Sequence, residues 1–132
     1  YIVERKLSEQ IYKIIEENRI GSDWEFSFTI GWIENSKILQ AHFPEKPIVP
    51  GACLLEIARE LFEKHFSQKF LVQEVKSIKY LKLIEPTKAS VVTFQFTVKE
   101  FTENRYKVQI EVLDLKNVFT KLILFFTPIT DE

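Results

Sequence analysis

The sequence predicts an α+β fold in which one long helix packs on an antiparallel sheet of five to six strands. Several segments alternate apolar and polar residues, one segment repeats its apolar residues every three or four positions, and short loops join the segments. The helix follows the first two predicted strands. No repeat, low-complexity tract or linker interrupts the 132 residues, so we expect a single domain over residues 1–132.

Two strands are predicted before the helix, at residues 11–18 and 23–33, with a turn between them. The second strand alternates apolar residues with polar or small ones, which is typical of a strand with one buried face. Its apolar positions are Trp24, Phe26, Phe28, Ile30 and Trp32.

The helix is predicted from Ala52 to about Phe66, because the spacing of apolar residues there changes from two to three or four. One helix cannot cover both faces of a sheet of this size, so we expect it to lie against one face.

Four further strands are predicted at residues 72–84, 89–101, 105–115 and 117–129. The short loops between the last three indicate antiparallel hairpins. The fourth strand is more continuously apolar than the others, which is typical of a central strand.

The composition excludes several classes of function. A net charge of −1, from 18 basic and 19 acidic residues, gives no case for nucleic-acid binding. The apolar run Leu122–Phe126 is far shorter than a membrane span of ~20 residues. The first ten residues are polar and do not resemble a signal peptide, and the single cysteine, Cys53, fits a reducing compartment. We therefore expect a cytoplasmic protein.

The aromatic content is unusually high, with 12 Phe, 4 Tyr and 2 Trp. Aromatic residues usually form the core, but they also line channels for acyl chains. The composition favours a core and leaves the second interpretation open.

The segment HFPEKPIVPGACLLE, residues 42–56, carries the clearest chemical signal. Three prolines stiffen the chain before Gly51, which lies at the predicted helix start, where amides lack partners and the helix dipole is positive. His42 precedes the prolines and Glu56 lies inside the helix. A histidine, a carboxylate and an oxyanion-binding site together suffice for proton abstraction beside a thioester carbonyl.

Each of these residues also has a structural interpretation. His42 beside Phe-Pro could be packed in the fold, and Gly51 could be a helix cap. Glu56 could belong to a solvated helix face that also carries Arg59, Glu60, Glu63 and Lys64.

The segment resembles the H-F-P-x-x-P-x-x-P-G-x-x-x-x-E signature of the FabZ-type (3R)-3-hydroxyacyl-[acyl-carrier-protein] dehydratases, at every fixed position. A weaker similarity includes Asn35 and Gln40 upstream, and KYLKLIEP, residues 79–86, downstream. The resemblance implies a hot-dog fold, in which a curved sheet wraps a long central helix.

The resemblance also implies a homodimer with His42 from one subunit and Glu56 from the other at the active site. His42 would take a proton from C2 of a 3-hydroxyacyl thioester, and Gly51 would bind the developing enolate oxygen. Glu56, protonated or through a water, would deliver a proton to the departing hydroxyl. The product would be a trans-2-enoyl thioester, in fatty-acid synthesis or a related lipid or polyene pathway.

The same resemblance implies the rest of the site and its partners. Phe43, Pro50 and Tyr80 would contact the substrate. No metal and no cofactor are expected, since the substrate would be carried on the phosphopantetheine arm of acyl carrier protein, or on coenzyme A. Arg59, Lys76, Lys79 and Lys82 could form a docking patch for the acidic carrier or be ordinary solvated surface.

The sequence departs from the family pattern at three places. Glu60 stands where the family often has a glutamine that orients the catalytic acid, and a carboxylate close to Glu56 would raise its proton affinity. Ala41 replaces a common glycine, and the N-terminal segment is only weakly similar. A hot-dog acyl thioesterase and a non-catalytic hot-dog subunit that binds acyl chains or a partner remain as alternative functions.

Overall fold

The computed structural model describes residues 7, 8, 10–33, 36, 37 and 48–130, and within them the chain forms six strands and one long helix. In chain order, these elements are β1 (Tyr12–Arg19), β2 (Glu25–Trp32), α1 (Gly51–Phe66), β3 (Phe70–Tyr80), β4 (Val91–Thr102), β5 (Arg105–Leu113) and β6 (Val118–Pro128).

All six strands form one antiparallel sheet in the order β1-β2-β4-β5-β6-β3. The two edge strands are β1, before the helix, and β3, directly after it. The register of β3 against β6 shifts twice, between Val72 and Glu74 and between Val75 and Ser77. Such bulges bend an edge strand and increase its twist.

The α+β class and the order of the elements are confirmed. The predicted bounds agree with the structure to within about two residues, except at the end of β3. The sequence predicts that strand to residue 84, but it ends at Tyr80. The amides of Leu81 and Lys82 both donate to the carbonyl of Phe119, at 2.8 and 3.1 Å, so the chain leaves the regular ladder there.

The helix lies on one face of the sheet through an aromatic core. Phe62 is fully buried and its ring stacks on Phe126 of β6, with 4.4 Å between centroids and 10° between planes. Phe26 of β2 stacks in the same way on Phe96 of β4, at 4.8 Å and 9°. The predicted buried face of β2 is confirmed for Phe26, Phe28, Ile30 and Trp32, but Trp24 precedes the strand and is 41% exposed. The stacked aromatic residues form core.

Both ends of α1 are set by the backbone. Pro50 precedes the first turn in an extended conformation, and Ser67 follows the last turn in the left-handed region, with φ of 51°. The Ser67 amide closes the C-terminus by donating to Lys64. Within the described part of the chain, no helix has the length and apolar character needed to cross a membrane.

His65 occupies an aromatic site in the last turn of α1. Its ring stacks on Phe26 at 3.5 Å between centroids, and its Nε2 lies 3.1 Å from the carbonyl oxygen of Asp23. Burial lowers the pKa of the imidazole, and Arg19 lowers it further; Asp23 and Glu17 act in the opposite direction without reversing the shift.

We predict that His65 makes the fold less stable below about pH 6.5, the ordinary pKa of histidine. Since the folded-state pKa is lowered, the unfolded chain binds more protons between that pKa and 6.5. Stability from this group is therefore complete above pH 6.5 and is lost as the pH falls through the folded-state pKa. Urea unfolding at several pH values measures the decline.

The variant His65→Gln serves as the control for this prediction. Between pH 6.5 and 5, the free energy of unfolding of this variant should fall less than that of the parent protein. Equal slopes for the two proteins between pH 6.5 and 5 would contradict the prediction.

Candidate active site

The start of α1 is an open helix N-terminus. Gly51 is the first helical residue, and Pro50 before it has φ of −63° and ψ of 145°. The amide of Cys53 donates to the carbonyl of Pro50 at 3.0 Å. No acceptor for the amides of Gly51 and Ala52 is found among the described residues. Free amides at the positive end of a helix dipole suit a carbonyl oxygen that gains negative charge.

Tyr80, the last residue of β3, lies directly against Gly51. A Cβ built on Gly51 would lie 2.5 Å from Oη of Tyr80, 2.7 Å from Cζ and 2.9 Å from Cε1. These distances are far below van der Waals contact, so the ring occupies the space that a side chain at position 51 would need. The ring can lie this close because residue 51 is a glycine, and it is itself 55% exposed. The role of Tyr80 as a substrate contact stays a prediction.

The chain before the helix packs against the chain after β3. The amide of Val49 donates to the carbonyl of Ile84 at 3.0 Å, and both side chains are buried. The two segments that carry the sequence resemblance, residues 42–56 and 79–86, therefore meet at the start of α1.

Glu56 lies on the second turn of the helix with its carboxylate partly exposed, at 42% of the side chain. Arg59 contacts it with two nitrogens: Nε donates to Oε1 at 2.6 Å, and Nη2 forms a short ion pair with the same oxygen. Both contacts fall on Oε1. Within the described residues, the structure shows no hydrogen bond to Oε2 of Glu56.

Arg59 is itself held from the other side. Its Nη1 donates to Oε2 of Glu63 at 2.8 Å, and the same oxygen accepts the amide of Phe70, also at 2.8 Å. Burial acts to lower the pKa of Arg59, but Glu56, followed by Glu63 and Glu60, outweighs it and raises that pKa. The guanidinium therefore stays charged between its carboxylates.

The structure corrects the expected position of Glu60. The sequence interpretation placed it on a solvated helix face, but only 8% of Glu60 is exposed. Its Oε2 accepts the amide of Leu7 at 2.7 Å, and its Oε1 accepts the amide of Ser8 at 3.1 Å and the hydroxyl of Tyr12 at 2.9 Å. Burial and the charge of Glu60 raise the pKa of the Tyr12 phenol, so this group remains a donor.

Glu60 therefore anchors the segment before β1 and does not orient Glu56. Arg59 is the residue in contact with Glu56, whereas the sequence analysis left it open between a docking patch and ordinary solvated surface. The spacing of three residues between Glu56 and Arg59 was a signal for this pair, because such residues are neighbours on a helix surface.

The predicted site is described only in part. Gly51, Pro50 and Tyr80 lie together at the helix N-terminus, and Glu56 lies on the same helix. His42 and Phe43 lie outside the described residues, as do Asn35, Gln40 and Ala41 of the wider motif. Their roles stay predictions.

Cys53 is a free cysteine in the first turn of α1. Burial, followed by the charge of Glu56, raises the pKa of the Cys53 thiol, which disfavours the reactive thiolate. Among the described residues, no group of three or more His, Cys, Asp or Glu side chains is arranged to hold a metal ion.

The predicted basic patch is reduced by the engagement of Arg59, whose side chain is only 25% exposed. Lys76, Lys79 and Lys82 are exposed on β3 and just after it. Lys82 also donates to the side chain of Asn117 at 3.1 Å. These three lysines remain the candidates for a carrier contact.

A cavity of about 800 Å³ lies beside the second half of α1, away from the candidate site. Its lining includes Tyr12, Glu60 and Glu63, and it does not include Gly51, Glu56 or Tyr80. The candidate active site is therefore a surface at the start of the helix rather than part of this cavity.

Comparison with protein families supports a dehydratase relationship. The family model described as ApeI-like, ApeI dehydratase, matches residues 16–118. A sequence search among curated proteins returns no match. The match agrees with the dehydratase activity that the motif indicates. It does not confirm the FabZ type specifically.

Solved structures confirm the hot-dog fold. The dehydratase heterocomplex ApeI:P from Xenorhabdus doucetiae matches with a TM-score of 0.71 and 11% identity, over 86% of this chain and 96% of that one. A putative thioesterase, YhdA, from Lactococcus lactis matches with a TM-score of 0.68 and 8% identity, over 98% and 100%. A hypothetical thioesterase from Streptococcus pneumoniae, solved with coenzyme A, matches with a TM-score of 0.63 and 13% identity, over 92% and 88%. At these identities the likeness shows the fold alone.

We predict that Gly51→Ala is destabilising because of Tyr80. Overpacking of this kind costs about 1–3 kcal/mol of unfolding free energy. In a Tyr80→Ala background the added methyl group meets no ring, and alanine is favoured over glycine in a helix by up to about 1 kcal/mol. Gly51→Ala should then be neutral or stabilising, as measured by urea unfolding. An equal loss in both backgrounds would show that Tyr80 is not the obstacle.

We also predict that Glu60→Gln lowers stability by about 1.5–3 kcal/mol, the usual range for hydrogen bonds to a charged group. An amide supplies one acceptor oxygen and places an NH2 donor against the backbone amide of either Leu7 or Ser8. Urea unfolding measures the loss, and amide hydrogen exchange at these two residues should become faster. The exposed Glu100→Gln is the matched control, expected within about 0.5 kcal/mol of the parent. Unchanged stability and exchange in Glu60→Gln would rule out the anchoring role.

Proposed function

Because the chain belongs to the ApeI-like dehydratase family, we propose that it removes water from (3R)-3-hydroxyacyl thioesters to give trans-2-enoyl thioesters. The observation that carries this proposal is the start of α1. It combines the amides of Gly51 and Ala52, for which the described residues supply no acceptor, with the partly exposed carboxylate of Glu56 on the same helix.

The amides at the start of α1 supply the electrophilic part of the reaction. The C2 proton of an acyl thioester becomes acidic only when negative charge on the carbonyl oxygen is stabilised. Hydrogen-bond donors aimed at that oxygen provide this stabilisation, and it is the largest single contribution in many such sites. In the proposed mode, Gly51 binds the thioester oxygen, with Pro50 and Tyr80 beside it.

The proton transfers are assigned to His42 and Glu56. His42 accepts the proton from C2, and the electron pair of the broken C–H bond forms the C2–C3 double bond. The C3–O bond breaks at the same end of the substrate, where Glu56 contacts the hydroxyl. The hydroxyl group leaves as water with the proton that His42 took from C2, so atoms and charge balance.

The proposed substrate is carried by acyl carrier protein, with coenzyme A as the alternative carrier. Lys76, Lys79 and Lys82 are exposed along β3 and just after it, and they provide positive charge for an acidic carrier. One structural neighbour was solved with coenzyme A, which supports a thioester of either kind. No further cofactor is required by the chemistry proposed.

We propose a dimer in which β3 pairs with the same strand of a second copy. This strand is at the sheet edge, and its side chains Leu71 and Val75 are 55% and 41% exposed. An exposed edge strand readily pairs with another chain. One structural neighbour is a dehydratase heterocomplex, so a related second chain is the alternative partner.

Thioester hydrolysis is a second candidate function. Glu56 is partly exposed beside Arg59, and a carboxylate can direct water at a thioester carbon. Two structural neighbours are described as thioesterases. Hydrolysis would release a free acid and a thiol instead of an enoyl thioester.

The test is to incubate the purified chain with 3-hydroxyacyl thioesters of several chain lengths, on acyl carrier protein and on coenzyme A. Products are followed by mass. We expect loss of one water, and a loss of activity of roughly 100-fold or more in His42→Ala, from the usual scale of general-base catalysis. Glu56→Gln should also be strongly impaired.

The variant His65→Gln is the matched control, since it removes the other histidine of the chain and should retain activity. Formation of free acid would establish the thioesterase instead. The dehydratase proposal fails if no substrate is turned over, or if His42→Ala is as active as the parent. In that case the assay is repeated with a related hot-dog chain added. Activity that appears only with the added chain would indicate a non-catalytic subunit.

A further inference from the structure

Arg59 links the exposed carboxylate of Glu56 to the fold. On one side, Nε and Nη2 of Arg59 donate to Oε1 of Glu56. On the other side, Nη1 donates to Oε2 of Glu63 at 2.8 Å. Glu63 is only 16% exposed and also accepts the backbone amide of Phe70. The guanidinium is thus fixed between one carboxylate that belongs to the fold and one that faces solvent.

The two carboxyl oxygens of Glu56 differ in their contacts. Oε1 takes both contacts from the guanidinium, whereas Oε2 has no hydrogen bond within the described residues. Because the guanidinium holds Oε1, the second oxygen is fixed in place and can accept a hydrogen bond from a substrate hydroxyl.

We infer that Arg59 is a positioning residue that holds the side chain of Glu56 with Oε2 directed to the substrate. This inference rests on the proposed dehydration. Glu56 then accepts a hydrogen bond from the 3-hydroxyl of the substrate and orients the C3–O bond for cleavage. The proton that completes the departing water is the one that His42 takes from C2, so the step needs no other proton source.

Glu60 does not perform this role. Its carboxylate oxygens are engaged by the amides of Leu7 and Ser8 and by the hydroxyl of Tyr12. Its contribution to the site is limited to its charge near Arg59. Glu60, which stands where the family often has an orienting glutamine, therefore stabilises the fold. The preceding residue, Arg59, is the one that holds Glu56.

The experiment compares kcat and KM for dehydration in Arg59→Gln, Arg59→Lys, Glu56→Gln and the double variant Arg59→Gln/Glu56→Gln. Misplacement of a reacting group by about 1 Å costs on the order of 100-fold. We expect Arg59→Gln to lower kcat by about 10- to 100-fold with little change in KM. Arg59→Lys should recover part of the loss, because it restores the charge but not the two-nitrogen contact.

The double variant shows whether Arg59 acts through Glu56. In that case Arg59→Gln has little further effect once Glu56 is replaced, since residues that act as a unit are not additive. Additive losses would overturn the inference. So would an Arg59→Gln variant with the kcat of the parent, or one whose loss lies entirely in KM.

Two controls separate this inference from folding and from the proposed function. Arg19→Gln removes an exposed arginine of another ion pair and should keep the kcat of the parent, and urea unfolding checks that Arg59→Gln remains folded. If the parent protein turns over no 3-hydroxyacyl thioester, the proposed function fails and the role of Arg59 fails with it. If the parent is active, the Arg59 variants decide the inference alone.

Discussion

The packing of Phe62 against the sheet is the interaction on which the rest of the structure depends. This ring is fully buried, stacks on Phe126 and lies within 6.3 Å of Phe26, Phe70 and Phe96. A buried phenylalanine stabilises a fold by about 3–5 kcal/mol relative to alanine. Tyr106 of β5 also lies 5.6 Å from Phe62, so the partners of this one side chain come from five of the six strands. The position of Gly51 and Glu56 follows from that attachment.

The helix separates its functions along its length and around its circumference. Its first turn offers amides, its apolar face is core, and its charged face carries Glu56, Arg59, Glu60 and Glu63. The charged face is itself divided. Glu60 binds the segment before β1, whereas Arg59 and Glu63 support Glu56. Glu63 also accepts the amide of Phe70, the first residue of β3, so the support of Glu56 begins at the sheet edge where we propose that dimers form.

Much of the fold follows from the sequence, because periods of two and of three to four residues mark which faces are buried. The start of α1 was predicted to within one residue for the same reason, because the apolar spacing changes there. The end of β3 was not, because it depends on contacts of Leu81 and Lys82 with Phe119, far away in sequence. The fold was therefore predictable where the cause was local.

The same distinction applies to the candidate site. Glu56 and Gly51 were found from a motif, and Tyr80 from a second one. The burial of Glu60 could not be predicted, because its partners Leu7, Ser8 and Tyr12 lie 48 to 53 residues away. Spacing on a helix places Arg59 near both Glu56 and Glu63, but it does not show which contacts form.

The ring of Tyr80 against Gly51 has a stereochemical consequence. It closes the side of the glycine on which any L-residue would carry its side chain. A planar carbonyl group that reaches this end of the helix must therefore approach past the opposite side. The two faces of that carbonyl group then have different surroundings. Gly51, a residue without a side chain, can in this way contribute to stereochemical selection at the neighbouring substrate atoms.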